Sequence, residues 1–295
     1  MSLEAIVKLL GHACRHKYAV GYFESWNLES LAGVIDAAER TRSPIIVGFN
    51  GDFLSHAERL APERIEWYGA LGRAAAESAG VPCGLIFNEC ASDACVRRAI
   101  DAGFNLVMPA DEHAAHGGYV HRVAELTRYA HSRGVAVEAE VGQLPSSSSA
   151  MAQSAGCPTD PNVAARFVAA TGVDLLSVSI GNVHVLLEGQ HELDLARLAA
   201  IRERVAVPLG LHGGTGIPAD SLRKAIAAGI AKVAYGTYLK QRYLAAVRAA
   251  LRTGEPDPHR LLGYGGGEDV LLAGRRAVCD AVLERIELLG CCGMA

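Results

Sequence analysis

The stretch of sequence that decides the fold is Leu209-Gly210-Leu211-His212-Gly213-Gly214-Thr215-Gly216-Ile217-Pro218. Its apolar start predicts a buried strand that ends at His212, and its glycine-rich turn predicts the opening of a helix. Glycine lets backbone N–H groups approach an anion closely, and a helix N-terminus adds a positive dipole. We interpret the stretch as a strand, an anion cradle and a helix. The alternative is a tight βα turn with a histidine on the surface.

Length and composition limit the kind of protein that this chain can form. Its 295 residues are 50% hydrophobic, which suits either one α/β barrel or two medium domains. The net charge of −4 gives no basic footprint, so we expect no nucleic-acid partner. No apolar run approaches the roughly 20 residues of a membrane span, and no signal-peptide pattern opens the chain. We therefore expect a cytoplasmic protein, and because thiols stay reduced there, we expect its eight cysteines, scattered without C-x-x-C spacing, to be reduced.

Short apolar runs alternate with longer amphipathic stretches along the chain. The predicted strands are 19–22, 44–49, 82–87, 106–108, 136–141, 175–178, 207–211 and 232–235. The predicted helices are 28–40, 62–79, 92–102, 118–133, 161–171, 194–204, 218–228 and 237–251. Eight strands that are each followed by a helix predict a closed (β/α)₈ TIM barrel rather than an open sheet. No linker interrupts the alternation, so we expect residues 1–295 to form a single domain.

Two segments fall outside this alternation. Residues 142–159 follow the fifth strand and contain four consecutive serines, which is typical of a surface loop or of a lid over the barrel mouth. Residues 257–295 form a C-terminal appendage, turn-rich at first and then helical over 268–289. We expect the appendage either to cover the barrel or to mediate self-association.

Polar residues follow the apolar runs at the C-terminal ends of the predicted strands, where the active sites of such barrels lie. They are Asn88-Glu89 after strand three, Asp111-Glu112-His113 after four, Glu138 and Glu140 at five, Gly181 to His184 after six, His212 after seven and Gly236-Thr237 after eight. Histidines and carboxylates that converge on one barrel mouth are the residue types that hold a divalent metal. The glycine turns after strands seven and eight lie where barrel phosphate sites frequently occur.

Several motifs carry a resemblance over nearly the whole length. They are Asn27-Leu28-Glu29, Val137-Glu138-Ala139-Glu140-Val141-Gly142, Gly181-Asn182-Val183-His184, the Leu211–Pro218 stretch and the tail Gly290-Cys291-Cys292-Gly293-Met294-Ala295. With these motifs the chain resembles the class II, metal-dependent ketose-bisphosphate aldolase family, which includes fructose- and tagatose-bisphosphate aldolases.

The resemblance implies roles for individual residues. It makes His184 and His212 metal ligands and places Glu140 near the metal. It implies that Gly213, Gly214, Thr215 and Thr237 hold the phosphate of dihydroxyacetone phosphate. Gly181 and Gly236 are further candidates for substrate or phosphate binding. In such a mechanism a divalent ion polarises the ketose carbonyl and stabilises the enediolate left after the carbon–carbon bond breaks.

The chain departs from the family pattern at the reacting centre. The third strand of the family ends in His-x-Asp-His, where the Asp is the acid/base and the last His is a ligand. Here the stretch is Ile86-Phe87-Asn88-Glu89, and Asn88 cannot shuttle a proton whereas Glu89 can bind a metal. Two histidines and a glutamate are a known catalytic zinc set. Ala234 stands where the family has an asparagine that contacts the ketose.

These observations predict a metal-dependent aldehyde-lyase acting on a phosphorylated ketose or related carbonyl compound, unlike fructose bisphosphate. Glu89, His184 and His212 are the predicted ligands, zinc the expected ion, and Mn, Co or Mg the alternatives. Proton transfer would fall to Glu140, Glu112 or His113, with Asn88 orienting substrate, and we expect a homodimer or homotetramer. One alternative is a catalytically silent barrel that binds a phosphorylated metabolite or a partner. Another is a metal-using lyase or isomerase of different chemistry.

Overall fold

Eight parallel strands close into a barrel in the order β1 to β8, which confirms the predicted TIM-barrel fold. The structure is a computed structural model that describes residues 2–110, 116–145, 156–184 and 189–295. The strands are β1 Val20–Glu24, β2 Ile45–Asn50, β3 Cys83–Cys90, β4 Leu106–Pro109, β5 Ala136–Val141, β6 Leu175–Val178, β7 Leu209–Leu211 and β8 Ile230–Tyr235. Each predicted strand is present, with ends displaced by up to three residues.

Helices surround the barrel in the order that the alternation predicts. They are α1 Ile6–His16, α2 Leu28–Thr41, α3 Gly51–Ser55, α4 Ile65–Ser78, α5 Asp93–Asp101, α6 His116–His131, α7 Pro161–Thr171, α8 Leu195–Arg202, α9 Ala219–Ala227, α10 Thr237–Ala250, α11 Pro258–Leu261 and α12 Val270–Leu289. No helix among the described residues is long and apolar enough to cross a membrane. All eight cysteines are free thiols, as expected.

The first helix, α1, is an addition to the predicted elements. Its buried residues Ile6, Leu9, Leu10 and Ala13 follow the spacing of an apolar helix face. A Cβ added at Gly84 would lie 2.5 Å from Ile6 Cδ1, so the helix packs directly on β3. The helical period was therefore present in the sequence, ahead of the first strand.

Strand β3 is longer and less regular than predicted. It extends through Cys90, so Asn88 and Glu89 lie within the strand and not after it. Phe87 pairs with Val107 while Cys90 pairs with Pro109, which leaves one extra residue on β3 and forms a bulge. Glu89 adopts a φ of 52° at this bulge, in the left-handed region that non-glycine residues rarely occupy. Bulges of this kind redirect side chains next to active sites.

The predicted C-terminal helix is α12, and it covers the outside of the barrel by packing on α2 and α10. Gly33 permits a close approach, because a Cβ there would lie 2.5 Å from the carbonyl oxygen of Arg275. The guanidinium of Arg275 binds both oxygens of Asp36, at 2.6 and 2.7 Å. The last residues are fixed too, since Gly293 N donates to Thr41 O at 2.9 Å.

The predicted lid over 142–159 is described only at its two ends. Gln143 and Cys157 exchange backbone hydrogen bonds of 2.8 and 2.7 Å, which close the base of the segment. Residues 146–155 lie outside the described residues, so the lid stays a prediction. The candidate catalytic residues Glu112 and His113 lie outside them as well.

We expect Gly33→Ala to lower the free energy of unfolding by about 1–3 kcal/mol, because the new Cβ overpacks the contact between α2 and α12. The matched control is Gly118→Ala in α6, where an added Cβ meets nothing within 4 Å. That change should leave the stability unchanged or raise it by up to about 1 kcal/mol. Urea unfolding measures both, and equal stability of the two variants would contradict the close packing.

Candidate metal centre

The carboxylate of Glu138 lies at the base of the site and has no solvent exposure. Three donors surround it: Lys232 Nζ bonds Oε2, Ser177 Oγ donates to Oε1 at 2.6 Å, and His212 Nε2 lies 3.1 Å from Oε1. Burial alone raises the pKa of Glu138, but Lys232 and His212 outweigh it and lower the pKa to about 2. Glu138 is therefore ionised and accepts hydrogen bonds only.

This carboxylate orients the imidazole of His212. Since Glu138 can only accept, the Nε2 of His212 carries a proton, and Nδ1 points the other way, 2.6 Å from Glu89 Oε1. The backbone of His212 is also held, because Asn182 Nδ2 donates to its carbonyl at 3.0 Å. Proteins commonly orient a metal-binding histidine in this way, with a carboxylate bonded to one ring nitrogen and the other nitrogen facing the metal. Here Glu138 bonds Nε2, and Nδ1 is the nitrogen that would face the metal.

His184 reaches the same point from the loop after β6. Gly213 adopts a φ of 68°, and a Cβ there would lie 1.8 Å from the carbonyl oxygen of Val183. Only glycine permits this contact, which brings the loop after β6 against the turn after β7. As a result, Nε2 of His184 lies 3.0 Å from Glu89 Oε1.

Glu89 joins the two histidines through one oxygen atom. Its Oε1 faces both imidazoles, while Oε2 accepts a hydrogen bond of 2.8 Å from Asn50 Nδ2. Burial alone raises the pKa of Glu89, but His184 and His212 outweigh it and hold the pKa well below its usual range. In turn, Glu89 raises the pKa of His184 to about 9. Burial lowers the pKa of His212, yet Glu89 and Glu138 raise it to about 10.

The donor set of Glu89, His184 and His212 fits a divalent metal. One ligand atom of each lies within 4.8 Å of the others, and within the described ranges no other such group of three is found. A tetrahedral zinc ion with bonds of about 2.0–2.1 Å holds its ligand atoms about 3.3 Å apart. The carboxylate–imidazole distances of 2.6 and 3.0 Å need shifts of less than about 1 Å to reach that spacing.

Two other predicted residues lie at this mouth. Glu140 is half-buried near the end of β5, and burial raises its pKa although His212 and His184 act to lower it. Asn88 is only 3% exposed, and its Oδ1 has no hydrogen-bond partner among the described residues. An unpaired buried acceptor next to Glu89 in the chain is suited to a donor group of a bound molecule.

The glycine turn after β7 differs in detail from the prediction. It forms a single 3₁₀ turn over Gly214–Gly216, and α9 begins only at Ala219. No hydrogen bond between described residues uses the N–H groups of the predicted phosphate turns, which are those of Gly213, Gly214, Thr215, Gly236 and Thr237. Gly181, by contrast, is required by packing, since its φ is 104° and a Cβ would lie 2.6 Å from Glu192 O.

The ion pair of Glu24 and Lys240, which the sequence did not predict, lies beside the turn after β8 at Gly236 and Thr237. Lys240 Nζ bonds Glu24 Oε1, while Glu24 Oε2 lies 2.3 Å from where a Cβ of Gly236 would be. Burial raises the pKa of Glu24, although Lys240 acts to lower it. Glu24 ends β1, and this position at a strand end was the signal that could have identified it.

We expect Glu138→Gln to lower the free energy of unfolding by about 3–5 kcal/mol, because Lys232 would be left buried without its counter-charge. The same change in an exposed ion pair, Glu66→Gln beside Arg98, should alter it by no more than about 1 kcal/mol. Chemical denaturation compares the two variants. A similar loss of stability in the two variants would contradict the central role of the buried pair of Glu138 and Lys232.

Known proteins resemble this chain over nearly its whole length. The family model for fructose-bisphosphate aldolase class II matches residues 4–294. A fructose-bisphosphate aldolase from Geobacillus stearothermophilus is 31% identical, over 100% of this chain and 99% of that protein. The X-ray structure of the YdjI aldolase from Escherichia coli K12 has a TM-score of 0.83 and 31% identity, covering 99% of both chains.

A third relative extends the likeness to a fungal protein. The crystal structure of a putative fructose-1,6-bisphosphate aldolase from Coccidioides immitis has a TM-score of 0.84 and 26% identity, over 98% of this chain and 97% of that one. Family model, relatives and solved structures cover the same full length, including the appended helix α12. The chain therefore belongs to the class II fructose-bisphosphate aldolase family, whose aldolase-type lyases use a divalent metal.

Proposed function

We propose that this protein is a metal-dependent aldehyde-lyase that cleaves or forms a carbon–carbon bond in a phosphorylated ketose or related carbonyl compound other than fructose bisphosphate. The observation that carries the proposal is the convergence of Glu89, His184 and His212, with the imidazole of His212 oriented by Glu138. Membership of the aldolase family supplies the reaction class.

Zinc is the proposed ion, since two imidazole nitrogens and one carboxylate oxygen form a catalytic zinc set. Mn, Co or Mg are alternatives, because the carboxylate suits harder ions. When bound, such an ion supplies Lewis-acid polarisation of a substrate carbonyl and stabilises the negative charge of an enediolate.

Glu140 is the proposed proton carrier. It shares the end of β5 with Glu138, and its charge interacts with both His212 and His184, so it lies at the reacting end of the barrel. A carboxyl group whose pKa is raised by burial holds a proton more readily than an ordinary glutamate, which suits it to acid/base work. Glu112 and His113 are the alternatives from the segment after β4. Asn88 is proposed to accept a hydrogen bond from a substrate hydroxyl through its unpaired Oδ1.

The phosphate of the substrate is proposed to bind at the turn after β7. The N–H groups of Gly213, Gly214 and Thr215 are without partners in the described part of the chain, as an anion site requires. The second turn, at Gly236 and Thr237, faces the carboxylate of Glu24, whose charge Lys240 offsets.

The chain's own side chains also support a substrate other than fructose bisphosphate. Ala234, paired with Tyr22 across β8 and β1, leaves the mouth without the family's asparagine amide. Glu24 adds an acceptor at the same corner. Both changes alter which hydroxyl groups can be bound there. We further propose that residues 1–295 act as one domain in a homodimer or homotetramer.

We expect the wild-type protein, purified under zinc-replete conditions, to retain zinc, and His212→Ala and Glu89→Ala to bind it at least about 100-fold more weakly. The control is His121→Ala, an exposed histidine on α6. Elemental analysis and chelator competition measure the binding. A wild-type protein that never retains a divalent ion would overturn the lyase proposal in favour of the silent barrel. If zinc binding were lost in His212→Ala but kept in Glu89→Ala, Glu89 would not be a metal ligand.

We expect Glu140→Gln to slow the exchange of carbon-bound protons of dihydroxyacetone phosphate with deuterated water by about 10²–10⁴-fold, because enolisation needs the carboxylate. Zinc content should stay at the wild-type level. The control is Glu125→Gln, on the exposed face of α6. Proton NMR follows the exchange. Unchanged exchange with intact zinc would transfer the role to Glu112 or His113.

A further inference from the structure

The side chain of Asn50 has a single orientation that the fold determines. Asn50 ends β2 and caps α3, where its Oδ1 accepts a hydrogen bond of 3.0 Å from Phe53 N. Its Nδ2 then faces Glu89 Oε2 at 2.8 Å. A flipped amide would place the NH₂ group against the Phe53 N–H and the oxygen against a carboxylate oxygen, so both contacts would become repulsive.

The amide of Asn50 restrains the carboxylate of Glu89, whose backbone at the β3 bulge does not follow regular strand geometry. Glu89 lies at the β3 bulge with a φ of 52°, so its side chain leaves the strand outside the ordinary alternation. Among the hydrogen bonds of the described residues, Asn50 provides the one to Oε2. With Oε2 engaged, only Oε1 faces the imidazoles of His184 and His212.

We propose that Asn50 is a positioning residue for the metal centre, which makes Glu89 present one oxygen as a histidine would present one nitrogen. The inference rests on the metal site of the proposed function. Within the described ranges Asn50 bonds no other metal-ligand candidate, so it would act through Glu89. Outer hydrogen bonds of this kind orient ligands, and their loss costs metal affinity. Release of Oε2 would let the carboxylate offer both oxygens, which harder ions such as Mn²⁺ accept more readily than Zn²⁺.

The decisive variant is Asn50→Ser. Serine is as good an N-cap as asparagine and keeps an acceptor for Phe53 N, adds no charge, and is too short to reach Glu89. Asn50→Ala loses both the cap and the donor. Ser92→Ala, which removes the cap of α5 next to the end of β3, controls for cap loss alone.

We expect Asn50→Ser and Asn50→Ala each to weaken zinc binding by about 10–100-fold in competition with a chromophoric chelator. The ratio of Mn²⁺ to Zn²⁺ affinity should rise in both. Only Asn50→Ala and Ser92→Ala should lower Tm, and Ser92→Ala should bind zinc like the wild type. Wild-type affinity in Asn50→Ser would overturn the role of Asn50 while leaving the proposed function standing. A wild-type protein without zinc affinity would overturn both.

Discussion

The ion pair of Glu138 and Lys232 is the interaction on which the site depends. Both side chains are fully buried, and taking two charges out of water costs several kcal/mol for each ion unless geometry and hydrogen bonds offset it. Ser177 and His212 supply the additional hydrogen bonds that the carboxylate needs. These four residues lie on β5, β6, β8 and the turn after β7. The hydrogen bonds to the Glu138 carboxylate therefore fix the relative positions of these strands, which make up half of the barrel.

Starting from Glu138, a series of hydrogen bonds fixes the orientation of one side chain after another. The carboxylate holds Nε2 of His212, and this orientation of the ring turns Nδ1 toward Glu89. Glu89 meets His184 with the same oxygen, and Asn50 holds the other. The amide of Asn50 is oriented in turn by the cap of α3. Ligand side chains that are each locked by a hydrogen bond of this kind keep their geometry.

The sequence predicted what depends on local pattern and missed what depends on distant partners. The strand–helix alternation predicted the barrel, and polar residues after apolar runs predicted Glu89, His184 and His212. Lys232 was hidden within an apolar run, and its partner lies 94 positions away, so only the closed barrel reveals the pair. The bulge at Glu89 arises from the pairing of β3 with β4, which has no signature in β3 itself. Asn50 lies just beyond the predicted strand 44–49, and its role is recognised only by its contact with Glu89.

In the proposed centre, Glu89 takes the position that the resemblance gives to a histidine, which would change the charge of the centre as well as its shape. Two imidazoles and one carboxylate would leave about one net positive charge on a divalent ion, against about two with three neutral histidines. A lower charge would weaken the polarisation of a carbonyl, and Asn88, where the resemblance gives an aspartate, would supply no proton carrier on the same strand. Both differences would act on the formation of an enediolate. They are compatible with catalysis if the substrate enolises more readily than a simple ketose phosphate and if Glu140, on the other side of the mouth, handles the proton.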